Sequence, residues 1–165
     1  MTPFNTPSSG SNPSGMMRRR EARRIAMTIL YAQTCTGYQM DEVVTLVRTM
    51  RSDWGEMLTP APHQPNFILP LIQAVQRNRL EIEDHIEKVL QNWRISRISP
   101  VEAALLKLGC AEILYFADIP PRVTINEYIE LAKVFSNENA PSFINGILDK
   151  LVHQVGKPDA LKRPS

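Results

Sequence analysis

The sequence predicts an all-α fold, a compact bundle of about seven helices joined by short connections. Apolar residues recur at three- and four-residue spacing, and no segment shows the strict alternation that is typical of a half-buried strand. Glycine and paired prolines fall where the helical pattern stops, at Gly37 and at Pro120-Pro121.

The first half of the chain contains helical segments separated by a proline-rich stretch. Helices are expected over residues 17–36, 41–51, from Asn66 onward and over 80–93. Gly37 ends the first of them. Residues 54–65 contain three prolines and predict a loop, and Pro70 is expected to break or kink the helix that contains it.

The helix that follows Ser99 has the clearest start. Ser99 is a good N-cap, Pro100 suits the first helical position, and Glu102 completes a capping box. Its body, "VEAALLKLGCAEILYF", is apolar nearly all round, which predicts a central buried helix. Two amphipathic helices follow, with apolar stripes at Ile125, Tyr128, Ile129, Ala132 and Phe135, and at Ile144, Ile147, Leu148, Leu151 and Val155.

Length and composition favour one domain between two tails. The chain has 165 residues, of which 43% are hydrophobic and 22% charged, as in soluble globular proteins. We expect a single helical domain over residues 17–155, a disordered N-terminal tail over 1–16 and a flexible C-terminal tail over 156–165. No apolar run approaches the roughly 20 residues of a membrane span, so no segment is expected to cross a membrane.

Residue types that carry catalysis or bind metals are scattered. Cys35 and Cys110 have no partner at ligand spacing, and two buried thiols in a reducing cytoplasm are expected. His63, His85 and His153 lie in no metal or triad signature. Together with the absence of a phosphate-binding glycine loop, this pattern predicts no catalytic residue, no metal site and no cofactor.

A carboxylate is expected in the core. Glu112 shares a helix face with Leu105, Leu108 and Phe116. A buried carboxylate can be a catalytic acid, but it is more often tied to an arginine or a backbone donor. We therefore interpret Glu112 as structural.

The formal net charge of +2 conceals a concentrated positive cluster. Residues 16–24 hold five arginines and one glutamate, whereas the rest of the chain has 14 Lys and Arg against 16 Asp and Glu. A mildly acidic body with one cationic patch suggests a defined binding place for a polyanion.

A helical wheel separates two faces of residues 18–33. Ala22, Ile25, Ala26, Ile29 and Ala32 gather on the side expected to pack inward. The opposite side is predicted to carry Arg20, Arg24, Met27 and Tyr31, with Arg23 beside them. Positive charge near a helix N-terminus costs about 0.3–1 kcal/mol per group, which favours a function over a purely structural face.

This pattern suits single-stranded RNA. Guanidinium groups pair with phosphates in forked geometry, and an exposed aromatic ring such as Tyr31 can stack on an unpaired base. A membrane surface or a protein partner stays open as an alternative.

Two strings stand out in the C-terminal half, "INEYIELAKVF" at residues 125–135 and "FINGILDK" at residues 143–150, and the arginine-rich first helix ends in "LYAQ". With these features the chain resembles the NusB family of bacterial transcription antitermination factors. The resemblance covers about residues 17–155. It implies two helical subdomains and a non-enzymatic protein that binds boxA of ribosomal RNA leader transcripts together with NusE, a small-subunit ribosomal protein, and joins an antitermination complex on RNA polymerase.

The resemblance also implies an RNA surface. Carried over by position, that surface includes Arg18, Arg19, Arg20 and Arg23, and Lys107, Arg122 and Phe143 border it. Glu21 interrupts the arginine run, and Pro121, Asn139 and Ser142 also depart from the usual pattern.

Two alternatives remain at this point. One is the NusB-like module of a ribosomal RNA methyltransferase, which is disfavoured because the chain shows no cofactor-binding βαβ pattern before Ser165. The other is a helical adaptor that binds only protein, including a homodimer whose interface would cover the arginine face.

Overall fold

The computed structural model describes residues 13–58 and 67–156. In these two ranges the chain forms eight α-helices and one 3₁₀ turn, with no strand. The helices are α1 Pro13–Thr36, α2 Met40–Met50, α3 Ser52–Leu58, α4 Ile68–Arg77, α5 Arg79–Leu90, α6 Pro100–Tyr115, α7 Pro121–Phe135 and α8 Ala140–Gln154, and the 3₁₀ turn is Ile95–Arg97. The all-α prediction is confirmed.

The predicted tails lie mostly outside the described residues. Residues 1–12 and 157–165 belong to them and are not described. Residues 13–16 were expected in the N-terminal tail, but they form the first turn of α1. The arginine cluster therefore lies beyond the first turn of its helix.

The connection between α1 and α2 follows ordinary capping rules. Gly37 has φ +72°, a left-handed conformation that ends α1 at little cost for a residue without Cβ. The N–H of Gly37 donates to the Gln33 carbonyl at 2.9 Å. Glu42 Oε2 then accepts a 2.8 Å hydrogen bond from the Gln39 N–H and fixes the start of α2.

Two expectations about the proline-containing region were wrong. Residues 54–58 belong to α3, because Trp54 and Leu58 are four residues apart and both are buried. Residues 59–66, which include His63, lie outside the described part. Pro70 neither breaks nor kinks α4, since it lies in the first helical turn, where its missing N–H leaves no interior hydrogen bond unmade.

Helix α6 is the centre of the bundle, as predicted. Its start is capped by Ser99, whose Oγ accepts a hydrogen bond from the Glu102 N–H at 3.3 Å. Helices α1, α4, α5, α7 and α8 all pack against α6, so helices from before and after it in the chain share this one partner. A Cβ added at Gly109 would lie 2.9 Å from Leu148 Cδ1, so glycine permits the close approach of α8.

The remaining sequence expectations concern cysteines, metals and membranes. Cys110 is buried and burial raises the pKa of its thiol to about 12, whereas Cys35 is exposed, contrary to expectation. Among the described residues no group of three or more His, Cys, Asp or Glu is arranged to hold a metal. No helix in that part of the chain has the length and apolar character needed to cross a membrane.

Candidate nucleic-acid interface

Helix α1 exposes a narrower strip than the helical wheel predicts. Because α1 packs against α2, α4 and α6, its buried residues extend around most of the helix. Arg20, Arg24 and Tyr31 are exposed, as expected. Met27 and Arg23, predicted on or beside the same strip, are buried with only 4% and 2% of their surface accessible.

Arg23 forms the main buried ion pair of the described structure. Its Nε donates to Glu112 Oε2 at 2.9 Å and its Nη2 donates to Oε1 at 2.7 Å, a forked arrangement in which both side chains are almost fully enclosed. Burial alone would lower the pKa of Arg23, but the hydrogen bonds and charge of Glu112 outweigh it and raise that pKa. The guanidinium is therefore held charged in the core.

Two hydroxyl groups of α7 complete this cluster. Thr124 Oγ1 donates to Glu112 Oε1 at 3.2 Å, and the Tyr128 hydroxyl donates to Oε2. Burial, and then the neighbouring carboxylate, raise the pKa of Tyr128 well above its usual value. The cluster joins α1, α6 and α7 and satisfies both oxygens of the carboxylate, as a buried charge requires.

The expectation that Arg23 contacts RNA is corrected by this geometry. Its guanidinium faces Glu112 in the interior and is not available at the surface. The expectation that Glu112 is tied to an arginine agrees with the same contacts. The helix-dipole argument also fails, since α1 begins at Pro13 and the dipole acts mainly over the first turn.

Arg19 and Phe67 define one end of the exposed strip. The guanidinium carbon of Arg19 lies 5.2 Å from the ring centroid of Phe67, which is cation–π distance. The ion pair of Arg19 Nη2 with Asp118 Oδ2 is long, 3.8 Å, and exposed. Phe67 is half-buried and meets Phe116 edge-on at 5.6 Å.

The other exposed arginines also touch neighbouring side chains. Arg20 Nε donates to Glu127 Oε1 at 3.0 Å. Arg24 lies 5.5 Å from the ring centroid of Phe135, and its Nη1 is 3.8 Å from Glu21 Oε2. Asp118, Glu127 and Glu21 therefore offset part of the positive charge that the sequence concentrates here.

Glu21 has a structural contact in addition to its charge. Its Oε1 accepts a 3.0 Å hydrogen bond from Trp54 Nε1, and Trp54 is 5% exposed. Glu21 therefore joins α1 to α3. Its place within the arginine run is explained by the packing of Trp54.

Tyr31 continues the exposed strip toward the C-terminal end of α1. It is 41% exposed and lies about 16 Å along the helix axis from Arg20, at 1.5 Å per residue. Hydrogen bonding with Cys35 raises the pKa of the Tyr31 hydroxyl. The ring is accessible for stacking, as a single-stranded ligand requires.

The remaining predicted residues lie in different places. Arg122 is exposed in the first turn of α7, four residues along the chain from Asp118, the partner of Arg19. Lys107 is 3.7 Å from Glu83 and lines a cleft of about 250 Å³ beside Leu30 and Thr34, in the C-terminal half of α1. Phe143 is half-buried on α8 against the core.

Sequence reasoning missed the residues that hold the arginines. Phe67 and Phe135 are the aromatic contacts of Arg19 and Arg24, and Glu127 pairs with Arg20. Phe67 precedes α4 and belongs to no motif. Phe135 lies on the predicted apolar stripe of α7, yet it is 36% exposed.

These observations define a class: an all-helical bundle built around one central helix, with an arginine-bearing strip on its first helix. The chain belongs to the NusB family, whose sequence profile matches residues 20–153. The matched range includes the exposed strip from Arg20 to Tyr31 and the whole of α6 and α7.

Individual relatives agree with this assignment. The transcription antitermination protein NusB of Natranaerobius thermophilus is 36% identical over 146 residues, which cover 86% of this chain and 99% of that protein. The protein of the same name from Syntrophus aciditrophicus is 37% identical over 142 residues, covering 86% and 84%.

Solved structures show the same fold. NusB of T. maritima superimposes with a TM-score of 0.68 at 27% identity, covering 82% of this chain and 91% of that one. A NusB crystallised with NusE and double-stranded RNA superimposes with a TM-score of 0.69 at 25% identity, covering 84% and 98%.

Proposed function

We propose that this protein is a non-enzymatic transcription antitermination factor that binds the boxA element of ribosomal RNA leader transcripts together with NusE. The observation that carries the proposal is the family match, which spans both the arginine-bearing helix and the C-terminal helices. The crystallised complex of a NusB relative with NusE and RNA supports both partners.

The RNA face consists of exposed side chains on α1 and the start of α7. Its members are Arg18, Arg19, Arg20, Arg24, Tyr31 and Arg122. Phe143 borders the face through its accessible edge. Lys107 also borders the face in this proposal: it is 3.7 Å from Glu83 and lines the cleft beside Leu30 and Thr34, in the half of α1 that carries Tyr31.

When RNA binds this face, its phosphates replace carboxylates as the ion-pair partners of the arginines. The 3.8 Å pairs of Arg19 with Asp118 and of Arg24 with Glu21 are exposed, and such pairs contribute little to stability. A phosphate can therefore replace these carboxylates with little loss, and the guanidinium forks gain stronger contacts. Tyr31 then stacks on an unpaired base at the end of the strip.

The protein acts within a larger assembly in the bacterial cytoplasm. NusE increases the sequence specificity of RNA binding, since arginine–phosphate contacts do not distinguish between bases. The pair then joins an antitermination complex on RNA polymerase. A homodimer, if it forms, covers the arginine face and competes with RNA.

The test is RNA binding measured by fluorescence anisotropy with boxA RNA and a scrambled sequence, with and without NusE. Neutralisation of three or four phosphates predicts a log–log salt slope of about −2 to −3. The variant Arg19→Ala/Arg20→Ala/Arg24→Ala is expected to flatten that slope while circular dichroism stays unchanged. Equal binding of boxA and scrambled RNA in the presence of NusE contradicts the proposal.

A matched control distinguishes the effect of the arginine face on RNA binding from the effect of the protein's net charge. The variant Arg77→Ala/Arg94→Ala/Arg97→Ala removes the same charge from exposed positions off α1 and α7. It is expected to keep the salt slope of the wild type. If both triple variants bind equally, the arginine strip is not the RNA face.

The two alternatives make different predictions. A protein-only adaptor predicts a dimer, seen by light scattering, that boxA RNA does not dissociate. A methyltransferase module predicts relatives that extend well beyond the match, whereas the matches cover 99% of the Natranaerobius protein and 84% of the Syntrophus protein. That coverage favours the antitermination function.

A further inference from the structure

The ring of Phe67 contacts two arginines of α1 that have different environments. The guanidinium carbons of Arg19 and Arg23 each lie 5.2 Å from the ring centroid. The two residues are four apart in sequence, so they occupy successive turns of one side of the helix. One of them is buried and the other reaches the surface.

The buried contacts fix the ring. Arg23 is held by the forked hydrogen bonds to Glu112, and Phe116 packs edge-on against Phe67 at 5.6 Å. Phe67 also lies directly before α4, and its carbonyl accepts a hydrogen bond from the Leu71 N–H at 3.3 Å. The ring therefore has a defined position before any ligand arrives.

Arg19 has weak contacts apart from this ring. Its side chain is 48% exposed, and its ion pair with Asp118 spans 3.8 Å to a side chain that is 73% exposed. A pair of this kind does not order a long, flexible side chain. The planar guanidinium is more strongly oriented by an aromatic ring, because stacking constrains its plane.

We propose that Phe67 is a positioning residue of the RNA face: its ring holds the Arg19 guanidinium in place so that the remaining N–H donors point outward for a phosphate. The inference rests on the proposed RNA-binding function. Preordering of a side chain raises affinity because less conformational freedom is lost on binding. Phe67 itself touches no RNA in this arrangement.

The test is a double-mutant cycle on boxA affinity with the full chain and NusE. Phe67→Leu is expected to weaken binding by about two- to fivefold, the range of an exposed cation–π contact. In the Arg19→Ala background the same substitution is expected to have no further effect, because the group that it positions is gone. Trp93→Leu, at an aromatic ring that is 62% exposed and lies off α1, α4 and α7, is the control and is expected to bind as the wild type does.

Two results overturn the proposal. One is an unchanged affinity of Phe67→Leu, and the other is an equal loss in the Arg19→Ala background, which means that Phe67 acts through the fold.

An RNA-free measurement covers the case in which Phe67→Leu does not fold or the wild type does not bind boxA. The Arg19 Nε–H proton of the wild type, assigned by comparison with Arg19→Lys, is expected to show an upfield ring-current shift in NMR spectra. The absence of that shift refutes the positioning of Arg19 by Phe67. Its presence in a protein that fails to bind boxA supports the geometry and refutes only the proposed function.

Discussion

Arg23 and Arg24 are adjacent in the sequence and have opposite environments. Arg23 is enclosed between α1, α6 and α7 in a forked ion pair with Glu112. Arg24 reaches solvent and makes a long, exposed pair with Glu21. One run of arginines therefore serves both the fold and the surface, and the neighbouring helices decide which residue does which.

The largest expected effect is a loss of stability when the buried ion pair of Arg23 and Glu112 is broken. Glu112→Ala leaves the Arg23 guanidinium charged and unpaired in the core, which predicts a loss of about 3–5 kcal/mol in the free energy of unfolding. Urea unfolding followed by circular dichroism measures it. The double variant Arg23→Met/Glu112→Leu is expected to recover much of that loss, since it leaves no buried charge. A loss below about 1 kcal/mol in Glu112→Ala would show that the pair is not buried in solution.

The same conservative substitution, arginine to lysine, is expected to affect stability differently at positions 23 and 24. Lysine at position 23 keeps the charge but cannot form the fork, so Arg23→Lys is expected to cost about 1–3 kcal/mol of stability. Arg24→Lys is expected to change stability by at most about 0.5 kcal/mol, as at most surface positions. Thermal and urea unfolding of both variants provide the measurement. Similar losses at the two positions would contradict the assigned environments.

Alkaline pH acts on the buried cluster through Tyr128, because the guanidinium group of Arg23 stays charged. The raised pKa of Tyr128 means that the fold retains a proton that an unfolded tyrosine releases near pH 10. The stability that depends on this proton is fully present below pH 10. It is lost as the pH rises toward the pKa of Tyr128 in the folded protein. The retained proton steepens the fall in stability by about 1.4 kcal/mol per pH unit.

The variant Tyr128→Phe isolates that proton. Urea unfolding between pH 9 and 12 is expected to show a shallower fall in stability for this variant than for the wild type. Cys110, whose pKa burial raises to about 12, contributes a similar slope in both proteins and does not disturb the comparison. If stability falls with pH at the same slope in both proteins, the fold does not raise the pKa of Tyr128.

The smallest expected effect concerns Glu21, which contacts the buried Trp54 and the exposed Arg24. Glu21→Gln keeps an acceptor for Trp54 Nε1 and removes the negative charge beside Arg24. Its effect on stability is expected to stay within about 0.5 kcal/mol. Affinity for boxA is expected to rise by about twofold at low salt, since an exposed pair contributes at most about 1 kcal/mol. A fall in affinity would indicate that Glu21 orders the arginine strip.

The sequence predicts local features well because they depend on few residues. The cap at Ser99 and the stop at Gly37 follow from short motifs, and both are present in the structure. The buried character of α6 follows from its nearly uniform apolar composition. Helix α3 was missed because the prolines that follow it obscured the four-residue spacing of Trp54 and Leu58.

The candidate site was less predictable because it depends on several elements. A helical wheel assigns one buried side, whereas α1 is covered by three helices, so Arg23 and Met27 turned inward. A structural role for Glu112 was foreseeable from burial, but its pairing with a residue 89 positions away was not. Phe67 lies next to Arg19 only through the placement of α4.

Helices α3 and α4 are each fastened to α1 by an aromatic residue, Trp54 through Glu21 and Phe67 through Arg19 and Arg23. The connection between them is thus bracketed by two anchors on the same helix. Because Glu21 lies between Arg19 and Arg23, a stretch of less than two turns of α1 holds both α3 and α4.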